Sequence, residues 1–105
     1  MAALAYAPFP DRTSARAVAS ALLEEKLISC ANLLGEVESL YDWHGERGEA
    51  REIGVLFKTD AALLHQAVAR IEALHPYEAP VVLGWICGAA GAETAAWLAA
   101  LRTAE

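Results

Sequence analysis

Val37-Glu38-Ser39-Leu40-Tyr41-Asp42-Trp43 and Glu52-Ile53-Gly54-Val55-Leu56-Phe57-Lys58 are the two runs whose reading decides the fold. In the first, Val37, Ser39, Tyr41 and Trp43 share one phase. In the second, Ile53, Val55 and Phe57 alternate with Glu52, Gly54 and Lys58. Between them Gly45-Glu46-Arg47-Gly48 is a turn signal, and two alternating runs around a glycine-bearing turn predict a long β-hairpin. The first run extends back to Ile28, where Ile28 and Cys30 share the opposite phase. A change of phase near Asn32 to Gly35 predicts a bulge or bend, which Gly35 permits.

Outward from the hairpin, Ala61 to Leu74 carries Leu64, Ala67, Val68, Ile71 and Leu74 on one helical stripe, with Thr59 or Asp60 as cap. His75 precedes a proline and is pushed out of the helical region, so the helix stops there. Val81 to Cys87 is nearly continuous apolar, as expected of a strand covered on both faces. Gly88 to Gly91 is a loop of small residues, and Glu93 to Arg102 is a short helix carrying Trp97, Leu98 and Leu101. Towards the N-terminus, Leu4 to Ala7 reads as a brief strand ended by Pro8-Phe9-Pro10. Asp11, or alternatively Thr13, caps a helix in which Ala15, Val18, Ala19 and Leu22 recur up to about Lys26. The order β-α-β-β-α-β plus a terminal helix is the ferredoxin-like α+β arrangement: an antiparallel sheet with both main helices on one face, in a single domain over 1–105. The other face needs cover, which an aromatic hairpin can supply by pairing with another subunit.

The hydrophobic share of 56% exceeds the usual range of roughly 45–50%, part of it in alanine and part ascribable to a subunit interface. A net charge of −6 argues against nucleic acid and against an anionic membrane surface as partners. Cys30 and Cys87 form no CxxC or Cys/His cluster, which speaks against structural zinc. Met1 to Ala7 lacks the basic flank and length of a signal peptide, and no run approaches a membrane span. A cytoplasmic protein with free thiols is the expectation.

His75-Pro76-Tyr77-Glu78-Ala79-Pro80 places an imidazole, a phenol and a carboxylate on one stiff loop. His75 is the better metal candidate, since neutral imidazole suits copper and zinc, and Glu78 adds an oxygen donor. The alternative is a plain helix-to-strand connection whose polar groups satisfy nearby backbone. Cys30 is a candidate thiolate for Cu(I), against the commoner fate of a buried small hydrophobe; Cys87 has weaker claims. Tyr41 is either a cleft wall or interface packing, and Trp43 reads as packing. Lys58, at a strand end beside a helix start, can attract an anionic ligand or form a surface ion pair. Tyr77 shapes the same cleft as His75. His44 and His65 read as surface residues, and Glu36, Glu38, Glu46, Glu49 and Glu52 as a solvated face of the hairpin. No nucleophile–base pair lies close in sequence and no glycine loop cradles phosphate, so an enzyme is not expected.

Cys30-Ala31-Asn32, Ser39-Leu40-Tyr41-Asp42-Trp43-His44-Gly45, Lys58-Thr59, the His75 to Pro80 loop and Trp97 fall at intervals that together resemble the CutA divalent-cation tolerance proteins, from about Pro10 to Trp97. The resemblance implies a ferredoxin-like subunit in a compact homotrimer whose long strands pair between subunits. It implies a role in tolerance to divalent cations, with copper or a similar cation bound reversibly, no obligatory cofactor and no established enzymatic activity. The trimer of that family is similar in architecture to the PII signalling proteins, which offers small-molecule binding in inter-subunit clefts as the alternative. The chain departs from the family's pattern at Gly35 (usually proline), Val81 (usually glutamate) and Thr94 (usually tyrosine), and Tyr6, Pro8 and Phe9 replace a Thr-rich strand end.

Overall fold

The structure, a computed structural model, describes residues 1–103; residues 104 and 105, the end of the expected domain, lie outside the described residues. The elements are β1 (Ala2–Phe9), α1 (Arg12–Glu24), β2 (Cys30–Trp43), β3 (Glu46–Asp60), α2 (Leu64–Leu74), β4 (Leu83–Ile86) and α3 (Ala92–Ala99). A 3₁₀ turn, Ala61–Leu63, leads into α2, and another, Ala100–Thr103, follows α3. The strands lie in the order β2-β3-β1-β4 with every pair antiparallel. This is the expected ferredoxin-like α+β sheet with its additional terminal helix.

The core lies between one sheet face and helices α1 and α2. Ala3, Ala5, Ala7 and Phe9 of β1 and Val55 and Phe57 of β3 are fully buried there. Ala15, Val18, Ala19 and Leu22 of α1 and Ala67 and Ile71 of α2 meet them. Alanine is a poor strand former on its own. In β1 it succeeds because the strand is central and pairs β3 along its whole length, so β1 runs from Ala2 to Phe9 rather than only Leu4 to Ala7. Pro8 is tolerated because β4 pairs β1 only up to Tyr6, leaving no ladder bond on that side to break. Asp11 caps α1 by accepting from the Ser14 amide at 2.8 Å. Asp60 accepts from the Ala62 amide at 2.9 Å, which holds a 3₁₀ turn where the stripe predicted the first turn of an α-helix.

Two expectations are revised and one is met. The hairpin turn is not Gly45 to Gly48 but the two residues His44 and Gly45, with φ of 52° and 84°. Positive φ at both central positions marks the tight turn whose twist matches the flanking strands, so Glu46, Arg47 and Gly48 belong to β3. The expected bulge occurs as a register shift between Leu33 and Glu36, with Gly35 at φ 92°. One extra residue reverses the alternation. Cys30 and Asn32 before it, and Val37, Ser39, Tyr41 and Trp43 after it, therefore face the same side, away from the helices. Lastly, β4 is not covered on both faces. Within the subunit it is a four-residue edge strand, all of it exposed, because only β1 pairs with it.

β1 reaches no further along β3 than Ile53. From Val37↔Glu52 to Trp43↔Glu46 the hairpin is therefore a two-stranded ribbon with no third strand. Gly35→Val should destabilise the subunit by about 1–3 kcal/mol, because a branched residue is strained at this φ. Gly88→Ala, whose Cβ meets nothing within 4 Å and whose backbone is unstrained, should be neutral within about 0.5 kcal/mol. Urea unfolding of the two variants checks the contrast.

Candidate functional site

The helix end positions the loop. His75 donates its amide to the Ile71 carbonyl at 2.9 Å, then turns extended at φ −65°, ψ 140° ahead of Pro76. Its ring stacks on Phe9 with centroids 4.4 Å apart, and the residue is only 7% exposed. Nε2 lies 2.7 Å from the Pro8 carbonyl oxygen, and Nδ1 lies 3.1 Å from the Tyr77 amide nitrogen. A carbonyl only accepts and an amide N–H only donates. The imidazole is therefore the neutral tautomer with its proton on Nε2 and its Nδ1 lone pair occupied. Both ring nitrogens are engaged with backbone.

Tyr77, so placed, donates its hydroxyl to Glu52 Oε2 at 2.9 Å. Burial pushes the Tyr77 phenol up to about 12, helped by the hydrogen bond to Glu52 and by that carboxylate's charge. Tyr6, on the same sheet face, is also pushed up, by burial first and by Glu52 second. Glu52 itself is 8% exposed and does not belong to a solvated face as the hairpin pattern predicted. It sits where β3 leaves the three-stranded part of the sheet, under Tyr77 on one side and the ribbon aromatics on the other. A cleft of about 200 Å³ opens here, walled by Pro8, Tyr41, Trp43, Glu52, Tyr77 and Val81, with no lysine or arginine in its lining. A larger concavity, about 630 Å³, runs along the ribbon from Leu40 to Glu49. Its walls are mostly exposed side chains of one hairpin, whereas the smaller cleft joins three separate segments around a buried carboxylate, so the smaller one is the candidate site.

The structure thus brings Tyr41 and Tyr77 to one cleft, with Trp43 as a third wall. Lys58 is elsewhere: it pairs with Cys30 and Leu4, six residues down β3 from Glu52, or about 20 Å. Cys30 is half-buried there, with its thiol 3.7 Å from Asn32 Oδ1. Glu78 is exposed on the loop, and His44 and His65 are exposed as read. Cys30, His75 and Glu78 are not gathered within one subunit: among the described residues no three His, Cys, Asp or Glu side chains are placed to hold a metal ion. Glu52 and Pro8 were missed by sequence reasoning. The available signal was the face Glu52 shares with Tyr41 and Trp43, visible only once the turn is placed at His44 and Gly45.

Comparison with known proteins places this architecture. The family described as CutA1 divalent ion tolerance protein matches residues 3–100. A divalent-cation tolerance protein CutA of Thermococcus kodakarensis is 43% identical over 81 residues, 77% of each chain. The crystal structure of the divalent ion tolerance protein CutA1 from Ehrlichia chaffeensis superposes with a TM-score of 0.88 at 30% identity, covering 95% of this chain and 94% of that one. CutA1 from Pyrococcus horikoshii superposes with a TM-score of 0.86 at 34% identity, covering 94% and 96%. With sheet order, hairpin, loop and sequence in agreement over nearly its whole length, the chain belongs to the CutA1 divalent ion tolerance family.

Proposed function

We propose that this chain acts in divalent-cation tolerance as a homotrimer that holds copper or a similar cation reversibly, with donors drawn from more than one subunit. The observation that carries the assembly is the ribbon. A two-stranded hairpin is marginal in water by itself, and here it projects beyond β1 with Tyr41 and Trp43 exposed on one side. β2 is a fourteen-residue edge, and β4 is an edge bearing exposed Leu83, Trp85 and Ile86. Long unpaired edges and apolar patches of this kind call for a partner, and further copies of the chain supply matching edges. Among the described residues of one subunit no three donors gather, which favours a cation site shared between copies, with exposed Glu78 and half-buried Cys30 as candidate donors. His75 in this reading pins the loop and does not coordinate. The protein works in the cytoplasm, with neither nucleic acid nor a membrane as its partner, and as a binding protein without a catalytic step. Among the described residues no helix is long and apolar enough to cross a membrane.

A second reading, a PII-like trimer that binds a small molecule in clefts at the subunit boundary, is favoured by one observation. The Glu52 cleft lies where the projecting ribbon leaves the sheet, beside the surface that seeks a partner.

Light scattering should give three times the 11.2 kDa chain mass, and the melting midpoint should fall over a hundredfold dilution, since association stabilises the fold. A stable monomer at micromolar concentration removes the assembly reading. His75→Ala loses two hydrogen bonds and a stacking contact and strands the Pro8 carbonyl, so it should cost about 3 kcal/mol of stability. Copper(II) affinity of the assembled variant, measured by calorimetry, should stay within about twofold of wild type, where loss of a coordinating ligand costs tenfold or more. The Tyr77 phenol offers a pH test. Folding raises its pKa from 10.0 to about 12, so the stabilisation is complete below 10.0 and is lost as pH rises through about 12. The tyrosinate absorbance titration should include a transition near pH 12 that Tyr77→Phe abolishes.

A further inference from the structure

We propose that the Glu52 cleft is a binding site for a small organic cation, an alkylammonium group whose charge the carboxylate neutralises and whose methyl or methylene surface Tyr41, Trp43 and Tyr77 enclose. The first support is an unpaired buried charge. Carboxylates this deep are nearly always ion-paired. Asp60, the chain's other deeply buried carboxylate, follows the rule, with the amino terminus 3.3 Å from Oδ1 and Arg102 Nε 3.8 Å from Oδ2. Glu52 has no lysine, arginine or amino group within ion-pair reach among the described residues. Its one protein partner is the neutral Tyr77 hydroxyl, on Oε2. Among the described residues no buried side-chain oxygen lacks a partner, so Oε1, which receives no hydrogen bond, is open to solvent, and Glu52 lines the cleft.

The second support is the wall chemistry. Three aromatic side chains around one carboxylate, with no basic residue in the lining, present ring faces and one negative charge, the surroundings that favour an ammonium ion. A metal ion requires several oxygen, nitrogen or sulfur donors at once, and the cleft offers a single carboxylate. An anionic ligand is opposed by Glu52, whose charge already contributes to raising the phenols of Tyr77 and Tyr6. Size narrows the choice further. At about 200 Å³ the cleft is below the roughly 300–1,000 Å³ of sites for drug-sized ligands, so a group of a few heavy atoms fits. The net charge of −6 raises the local concentration of cations around the whole molecule. Val81 completes the wall with an apolar surface.

This inference deepens the small-molecule reading and does not depend on metal binding. The assembled protein is titrated in a calorimeter with choline, with its neutral isostere 3,3-dimethylbutanol and with the acid 3,3-dimethylbutyrate. Choline is expected to bind at least tenfold tighter than the alcohol, and the acid not at all. Glu52→Gln should bring choline down to the level of the alcohol with the oligomer mass unchanged. Trp43→Leu, which keeps the carboxylate, should weaken choline at least fivefold with the oligomer mass unchanged and serves if Glu52→Gln does not fold; an assembled Trp43→Leu protein that binds choline as wild type does removes the aromatic wall from the inference. Equal binding of choline and the alcohol overturns the charge inference while leaving a small-molecule cleft standing; binding of neither removes both. A Glu52→Gln protein with altered oligomer mass and no loss of choline binding overturns the inference differently, by assigning the carboxylate to a basic side chain of a second copy.

Discussion

One extra residue in β2 decides which side chains meet on the open face of the sheet. Without the bulge at Gly35, strict alternation would send Tyr41 and Trp43 to the opposite side from Cys30 and Asn32, because side-chain direction has a period of two. The two-residue turn at His44 and Gly45 already sets Tyr41 and Trp43 on the same face as Glu52. The bulge brings Cys30 and Asn32 to that face as well, and leaves Ala31 and Leu33 to the helices. Gly35 at φ 92° absorbs the irregularity at little steric cost. The hairpin can therefore keep its inner half packed on the core while its outer half presents its aromatics to the open face.

The second constraint is the imidazole of His75. It ties its loop to the end of β1, through the Pro8 carbonyl and the Phe9 ring, and holds the Tyr77 amide within the loop. Each polar atom of the ring is satisfied, and this is what makes burial of a histidine tolerable. The tie fixes the loop, the loop fixes Tyr77, and Tyr77 fixes Glu52. The polar residues of the loop thus form a chain of orientation that ends at the cleft rather than a set of parallel metal donors. Ion pairs contribute less. Arg70 grips Glu25 through two hydrogen bonds at 2.8 and 3.0 Å, but the pair linking α2 to the end of α1 is solvent-screened and adds little.

Membership of the CutA1 family accounts for the scaffold. Val81 stands in the cleft as an apolar wall, and among the described residues Glu52 is the one carboxylate in its lining. In the proposed site, one charge and three aromatic walls would select by the charge and shape of a ligand's surface, not by coordination number.

The sequence by itself determined the element order, the hairpin, the bulge at Gly35, the Asp11 cap and the core stripes of both main helices. Each of these is a local pattern: a period, a glycine, a cap or a proline, read within a few residues of itself. It also brought out the loop from His75 to Pro80 as a place of concentrated chemistry. Only the tertiary structure decided what those side chains do. The lone pair expected to be free on His75 is taken up by the Tyr77 amide, and the ring's proton goes to the Pro8 carbonyl, sixty-seven residues away. Glu52, written off as one of five solvated carboxylates, is buried because the loop folds over the point where β1 ends. Lys58 and Cys30 share a face with the cleft but lie too far down the strands to reach it. Strand periodicity assigns a side chain to a face of the sheet. What covers that face, and which hydrogen bonds a buried group finds there, depends on long-range contacts that no local window contains.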